Sequence, residues 1–296
     1  MKTMSMTYPK QGFVQFVLRC FSVGIVYALA NSLVAFLLGP LSRQSATLEN
    51  AAVWTLTGAL TCLAFSPFIL HARWSRANTT LAVWAAIVFV RCLGLGIEGA
   101  LFKPASMAIS VLGAVSGSLV ALPVAWLCVF LLQPADGVVQ VEPAERPSKY
   151  ASLRGPRWWS WAWRILLLGL AYFVFYFVFG ATNALLYTKS FYENNPQYGL
   201  TLPPYAVIFA AQLLRGPLFG LGSLFIARSA DLPRRQLGLW LGLLLFVIGG
   251  LAPYVEVTFR SMPLGFNLAT LTEILFQNVL TGVVAAGLFG PRPASR

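Results

Sequence analysis

Residues 264–289 read LGFNLATLTEILFQNVLTGVVAAGLF. This stretch is long and apolar enough to cross a membrane, yet near its middle it carries Glu273, with Gln277 one helical turn later and Asn278 beside it. An acidic side chain at bilayer depth is costly unless it is paired, protonated or turned toward a cavity. The stretch therefore predicts a membrane-spanning helix whose glutamate has a polar partner elsewhere in the chain.

The best candidate for that partner is Arg215, which lies within another apolar run, close to Gln212. Since Glu273 and Gln277 share one face of a helix, both can turn toward such a partner. We expect Arg215 and Glu273 to meet inside the membrane, with Gln212, Gln277 and Asn278 around them. The pair would either form a functional site or only fix helix packing, and the sequence leaves both interpretations open.

The composition is that of a polytopic membrane protein. Of the 296 residues, 58% are hydrophobic and 10% are charged, and the mean hydropathy is +0.73. An ordinary soluble domain is about 45–50% apolar and about 25% charged. The net charge of +12 could suggest nucleic acid in a soluble protein, but the lysines and arginines fall in short loops between apolar runs. Membrane topology explains the charge better than nucleic acid does.

Eight apolar windows of about 20 residues, the length that crosses about 30 Å of hydrocarbon, can be placed along the chain. They cover residues 16–38, 51–70, 79–97, 106–132, 162–187, 205–226, 237–254 and 265–289. The start of the chain resembles a signal peptide, but Arg19 interrupts its apolar run, and we expect it to remain as the first helix. The windows predict an all-α polytopic protein with about eight transmembrane helices.

The basic residues of the loops predict the orientation. If the N-terminus is cytoplasmic, most of the loop lysines and arginines lie inside, and only Arg43, Lys103, Lys189 and Arg260 lie outside. Cytoplasmic loops of membrane proteins carry such an excess of positive charge. We therefore expect a multi-pass protein of the cell (inner or plasma) membrane, surrounded by the lipid bilayer, with both termini cytoplasmic.

The chain divides into two four-helix halves, residues 1–133 and 158–296, joined by a polar, proline-containing cytoplasmic linker, residues 134–157. The two halves repeat weakly. The matched residues are Arg19, Gly24, Tyr27 and Glu98 in the first half and Arg164, Gly169, Tyr172 and Glu256 in the second. Because each half has an even number of spans, such repeats would have the same orientation and be related by an axis along the membrane normal.

Other windows contain further polar candidates for the site. Arg91 and Glu98 lie two turns apart on one face of the third helix, which suits the lining of a water-filled cavity. Alternatively, Arg91 binds a backbone carbonyl or another helix. One stripe of the fifth helix could face Arg215, and its members are Tyr172, Tyr176, Gly180 and Asn183.

The sequence contains no high-specificity motif for catalysis or for cofactor binding. Its single histidine, His71, follows an apolar window, which argues against a histidine-ligated haem or metal centre and against Ser–His catalysis. The four cysteines, Cys20, Cys62, Cys92 and Cys128, lie inside apolar windows without the spacing of a metal site or a disulfide framework. We expect no cofactor, and we expect the cysteines to be small buried side chains.

Two short pairs and the residues after them form a pattern: Arg215-Gly216, then Met262-Pro263 followed by Glu273, Asn278 and Gly282. On this pattern, residues 172–290 resemble a group of uncharacterised bacterial multispanning membrane proteins. In that group an arginine and a histidine precede the glutamate, where this chain has Asn267 and Thr270. The resemblance implies a fold and the location of a site, but no activity. If the histidine transfers protons in the group, this chain lacks that step.

Three functions fit these features. The first is a small-solute or lipid transporter or permease with a charged site between helices. The second is a membrane assembly or accessory subunit that binds another membrane protein, or a second copy of itself, in which the charges are structural and the large outer loop, residues 189–204, docks the partner. The third is an intramembrane lipid-modifying enzyme with Glu98 and Glu256 as acid and base. An enzyme is the least favoured of the three because no nucleophile or metal site accompanies these glutamates.

Overall fold

The computed structural model describes residues 12–38, 47–102, 107–134, 158–198, 203–257 and 262–291. Within these ranges the chain is helical, has no strands and contains eight helices that are long and apolar enough to cross a membrane. The predicted all-α polytopic fold is therefore confirmed. The predicted linker beyond Pro134, and the loop residues Arg43, Lys103 and Arg260, lie outside the described residues.

The eight helices, numbered in chain order, match the eight predicted windows. Five of them are uninterrupted: α1 Phe13–Leu38, α2 Leu48–Leu70, α4 Met107–Leu132, α6 Tyr205–Ser229 and α8 Leu264–Phe289. The other three are each interrupted by a π-helical segment. Helix α3 consists of Arg76–Ala86 and Gly94–Phe102, with the π-helical segment Ile87–Leu93 between them. Helix α5 consists of Trp158–Asn183 and Lys189–Asn194 around Ala184–Thr188, and α7 consists of Arg234–Phe246 and Ala252–Val257 around Val247–Leu251.

The π-helical segments of α3 and α7 come just before Glu98 and Glu256, and hydropathy alone did not predict them. A π-helical turn holds more residues than an α-helical turn and is often found at functional sites. The two segments contact each other, since a Cβ added to Gly249 would lie 3.0 Å from Cγ1 of Val90. Helices α3 and α7 therefore meet where their regular geometry is interrupted, and each glutamate follows that crossing.

Glycines allow neighbouring helices of the second half to approach closely. Helices α5 and α6 meet at Gly169 and Gly216, where a Cβ on Gly216 would lie 2.5 Å from the carbonyl oxygen of Gly169. Helices α7 and α8 meet in the same way at Gly242 and Gly282. Small residues at such crossings bring helix backbones together, which increases van der Waals contact where lipid provides no hydrophobic driving force.

A short backbone contact joins the two halves at one end of the helices. Residues 71–73, between α2 and α3, run antiparallel to residues 229–231, which include the last residue of α6 and the start of the connection to α7. The N–H of Arg73 donates to the carbonyl of Ser229, and the N–H of Asp231 donates to that of His71, each at 2.9 Å. These two connections of the chain are therefore fixed to one another.

The outer surface of the bundle is apolar. Every one of the eight helices exposes large hydrophobic side chains, and Phe36, Leu119 and Leu186 are 80%, 67% and 80% exposed. So much contiguous apolar surface is not stable against water in a soluble monomer. A lipid bilayer is the environment that this surface fits.

Candidate functional site

Arg215 lies buried in α6 with 3% of its surface exposed, and it binds Glu98 of α3. The distance from its Nη2 to Oε2 of Glu98 is 2.9 Å, and its Nη1 donates to Oε1 of Gln212 at 3.2 Å. Its guanidinium group also lies 5.8 Å from the ring centres of Tyr172 and Phe219. The arginine is thus held by a carboxylate, an amide and two aromatic faces, which is the setting a buried cation needs.

The predicted pairing of Arg215 with Glu273 is wrong. Glu273 instead accepts a hydrogen bond from Nδ2 of Asn183 on α5, at 2.5 Å. Its other oxygen lies against α5, where a Cβ added to Gly180 would be 3.2 Å away. The prediction failed because it placed Glu98 at the far end of a regular helix, whereas the helix that carries Glu98 is interrupted by a π-helical segment and packs against α6.

Glu273 nevertheless belongs to the same polar region. Its carboxyl group is close enough to that of Glu98 for the two to interact electrostatically. Tyr172 and Tyr176 interact with both carboxyl groups, and the amide of Gln277 binds the hydroxyl of Tyr172. We name these residues the Arg215 cluster: Glu98, Tyr172, Tyr176, Asn183, Gln212, Arg215, Glu273 and Gln277.

The stripe proposed for the fifth helix faces this cluster, with Tyr172 toward Arg215 and Asn183 toward Glu273. Asn278, the remaining candidate of α8, is buried with 2% of its surface exposed. It follows Gln277 directly, so it projects from a different face of the helix, because successive residues differ by about 100°. Asn278 is therefore a buried polar residue of α8 on a face other than that of Gln277.

A second polar group surrounds Arg91, and we name it the Arg91 cluster: Tyr27, Arg91 and Glu256. Nη2 of Arg91 lies 2.6 Å from Oε2 of Glu256 and 2.6 Å from the hydroxyl of Tyr27. That hydroxyl in turn donates to Oε1 of Glu256 at 3.0 Å. Of the two predictions for Arg91, contact with another helix is therefore correct, and its carboxylate comes from α7 rather than from its own helix.

A small cavity lies beside Arg91, but Glu98, the other residue of the predicted lining, does not border it. A cavity of about 30 Å³ is bordered by Arg91, Tyr27, Asn31 and Thr61 together with apolar side chains of α3 and α4. A buried water needs about 10–15 Å³ of such space and a few polar partners. The cavity therefore has room for about one or two water molecules next to the guanidinium group.

The two clusters have a similar arrangement of residues. Each combines a tyrosine of one half with the glutamate of the other half: Tyr27 with Glu256, and Tyr172 with Glu98. The arginines differ, because Arg91 comes from α3 and Arg215 from α6. Tyr27 was missed as a site residue, although its match with Tyr172 in the repeat pattern could have identified it.

Glu98 and Glu256 are not arranged as an acid and a base. Each is bound in its own ion pair, to Arg215 and to Arg91 respectively. Among the residues that the structure describes, no group of three or more His, Cys, Asp or Glu side chains is placed to hold a metal. The four cysteines are free thiols and are all buried. The geometry gives no support to a lipid-modifying reaction at the two glutamates.

The fold and the two clusters define a polytopic α-helical membrane protein whose halves are joined by buried ion pairs. Comparisons of the chain with protein-family models, with curated proteins and with solved structures found no match.

Proposed function

We propose that the protein is a transporter or permease for a small solute or a lipid, with its binding site at the Arg215 cluster. One observation carries this proposal: a buried arginine of one half binds the carboxylate of Glu98 of the other half, and the carboxyl group of Glu273 lies near that of Glu98. Ionisable side chains within membrane-spanning helices are expensive, and they usually mark the path of a substrate or an ion. A bundle held together only by packing has no need of them.

The proposal includes an internal duplication of four helices, with the two halves related by an axis along the membrane normal. Arg19 and Arg164, which are matched positions, support it because they donate to carbonyls at the ends of α4 and α8, Leu131 at 2.8 Å and Leu288 at 3.0 Å. The backbone contact between residues 71–73 and residues 229–231 supports it too, because an axis along the membrane normal keeps both connections on one side of the membrane. Transporters built from repeats bind substrate where the repeats meet.

The orientation with both termini in the cytoplasm, in the inner or plasma membrane, is part of the same proposal and rests on the charge of the loops. It is tested with single cysteines in a chain without its native cysteines, one at Ala77, at the start of α3, and one at Asn194, at the end of α5. An impermeant thiol reagent applied to intact cells should label Asn194→Cys and leave Ala77→Cys unlabelled. The reverse pattern would invert the topology.

The solute is sought by its effect on stability, since a ligand that binds only the folded protein raises the melting temperature. Purified protein is screened against pools of metabolites and lipids, and each hit is tested for flux into proteoliposomes. Arg215→Gln should abolish both the shift and the flux. Arg235→Gln, a substitution at an exposed residue of α7 outside both clusters, should leave both unchanged.

The second candidate function is an accessory subunit, and the ion pair at Arg91 favours it. Nη2 of that arginine binds both Glu256 and Tyr27, as expected for a structural contact between helices. Purification in mild detergent separates the two functions. A stoichiometric membrane-protein partner that is retained by wild type and by Arg215→Gln, together with an absence of ligand-induced stabilisation, would favour the accessory subunit.

A further inference from the structure

The two clusters differ in their balance of charge. In the Arg91 cluster, one arginine faces one carboxylate, that of Glu256, at 2.6 Å. The Arg215 cluster holds one arginine and two carboxyl groups: Glu98 binds the arginine, and Glu273 interacts with Glu98. If Glu98 and Glu273 were both ionised, the Arg215 cluster would hold an uncompensated negative charge between membrane-spanning helices, which is strongly unfavourable.

The contacts of Glu273 show how that charge could be removed. Glu273 forms no ion pair within the part of the chain that the structure describes. One carboxyl oxygen accepts the N–H of Asn183, and the other lies beside Gly180. A bound metal cation would need several oxygen ligands, whereas Asn183 turns its NH₂ group toward the carboxyl. A proton needs only one of the two oxygens.

Glu273 interacts with one negatively charged neighbour and with three tyrosines. The charged neighbour is Glu98 of α3, and the tyrosines are Tyr172, Tyr176 and Tyr192 of α5. Arg215 is already neutralised by Glu98. Nε of this buried arginine and Nε2 of Gln212 donate no hydrogen bond within the described residues. Buried donors without a protein acceptor are uncommon, and ordered water is one of their usual partners.

We propose that Glu273 is a proton-binding site, in which its carboxyl group carries a proton while Glu98 neutralises Arg215. The proton exchanges with water: binding converts the carboxylate to a neutral acid, release restores the carboxylate, and no other bond is made or broken. This inference goes beyond transport, because the proton can bind whether or not the protein moves a solute.

Infrared difference spectroscopy on the purified full-length protein tests it, since a neutral carboxylic acid has a C=O band that a carboxylate lacks. At neutral pH, wild type should show this band and Glu273→Gln should lose it. Asn183→Leu should keep the band at a higher frequency, because the carbonyl loses a hydrogen bond. The matched control is Glu193→Gln, at a 63% exposed side chain of α5, which should leave the band unchanged.

Two results would overturn the inference: a wild-type spectrum without the band at neutral pH, or a band that survives in Glu273→Gln. An absent band together with thermal stability that rises with added sodium would identify a cation site instead of a proton site. If Glu273→Gln does not fold, the frequency shift in Asn183→Leu decides whether the band belongs to Glu273. A band that does not move in that variant does not belong to Glu273 as the structure places it.

Discussion

Arg215 of α6 binds Glu98 of α3 across the boundary between the two halves, with 2.9 Å between Nη2 and Oε2. Arg91 of α3 binds Glu256 of α7 across the same boundary, at 2.6 Å. Each half thus supplies a glutamate to an arginine of the other. The side chains of Arg91, Arg215 and Glu256 are 12%, 4% and 9% exposed, whereas that of Glu98 is 32% exposed. Removing one member of a pair leaves a charge without a partner, which is more damaging than removing both where that charge is buried.

The first prediction concerns the Arg215–Glu98 pair. Arg215→Gln and Glu98→Gln should each destabilise the protein, by up to about 3–5 kcal/mol if the remaining charge stays buried. The double variant should recover part of that loss, with a coupling of about 0.5–3 kcal/mol. Reversible unfolding in detergent micelles, followed for wild type and the three variants, gives the complete double-mutant cycle.

The matched control for this cycle is Lys189 and Glu193, an exposed pair 4.0 Å apart on α5, whose coupling should be close to zero. A second cycle pairs Arg215→Gln with Glu273→Gln, and it should show weaker coupling than the cycle with Glu98. Stronger coupling to Glu273 than to Glu98 would contradict the arrangement of the cluster.

Much of the fold follows from the sequence, because the length and apolar content of a segment decide whether it can cross a bilayer. The eight windows found by hydropathy correspond to the eight helices. The same argument identified Arg215 and Glu273 as polar residues that need partners; Arg215 is buried, and Glu273 is partly buried. It could not choose between partners, because hydropathy does not report which helices are neighbours.

The pairing of the charges depends on details that composition does not carry. Glu98 and Glu256 stood at the ends of predicted windows, and the π-helical segments that precede them have no simple sequence signal. The repeat pattern held more information, since it matched Tyr27 with Tyr172 and Glu98 with Glu256. Applied to contacts between the halves rather than within them, that pattern would have suggested that each tyrosine lies near the glutamate of the other half, but it would not have identified the two arginines.

The second prediction concerns the hydroxyl of Tyr27, which accepts from Arg91 and donates to Glu256. Tyr27→Phe removes both hydrogen bonds and leaves the ring in place, so it should destabilise the protein by about 1–3 kcal/mol. Tyr172→Phe is the comparison, because Tyr172 contacts Arg215 through its ring, and its hydroxyl pairs with the amide of Gln277 rather than bridging an ion pair. In thermal unfolding, Tyr172→Phe should lose less stability than Tyr27→Phe. Equal losses would mean that the hydroxyl of Tyr27 does not bridge Arg91 and Glu256.

The third prediction concerns the crossing of α5 and α6. A Cβ on Gly216 would lie 2.5 Å from the carbonyl oxygen of Gly169 and 2.7 Å from its Cα, so Gly216→Ala must push the two backbones apart. We expect a loss of about 1–3 kcal/mol, as for overpacked cores. Gly113→Ala in α4 is the control, since nothing lies within 4 Å of a Cβ there. It should be neutral or stabilise by up to about 1 kcal/mol, because alanine favours helix. Similar melting temperatures for the two variants would show that α5 and α6 do not touch at these glycines.

The last prediction concerns the contact between the α2–α3 and α6–α7 connections, where Ala72 lies opposite Ala230. Directly opposed residues of an antiparallel pair have Cα atoms about 4.5–5.5 Å apart, which falls within the range that a disulfide can span. With the native cysteines replaced, Ala72→Cys and Ala230→Cys in one chain should therefore form a disulfide under mild oxidation.

The disulfide is detected by cleaving the chain at a protease site inserted into residues 134–157 and asking whether the two halves stay joined until reductant is added. Asn194→Cys combined with Ala72→Cys is the control, because these positions lie at opposite ends of the predicted spans. Two halves related by inversion would place the two connections on opposite sides of the membrane. Efficient cross-linking of Ala72 to Ala230 thus supports two halves of the same orientation, and its absence alongside a folded protein would contradict them.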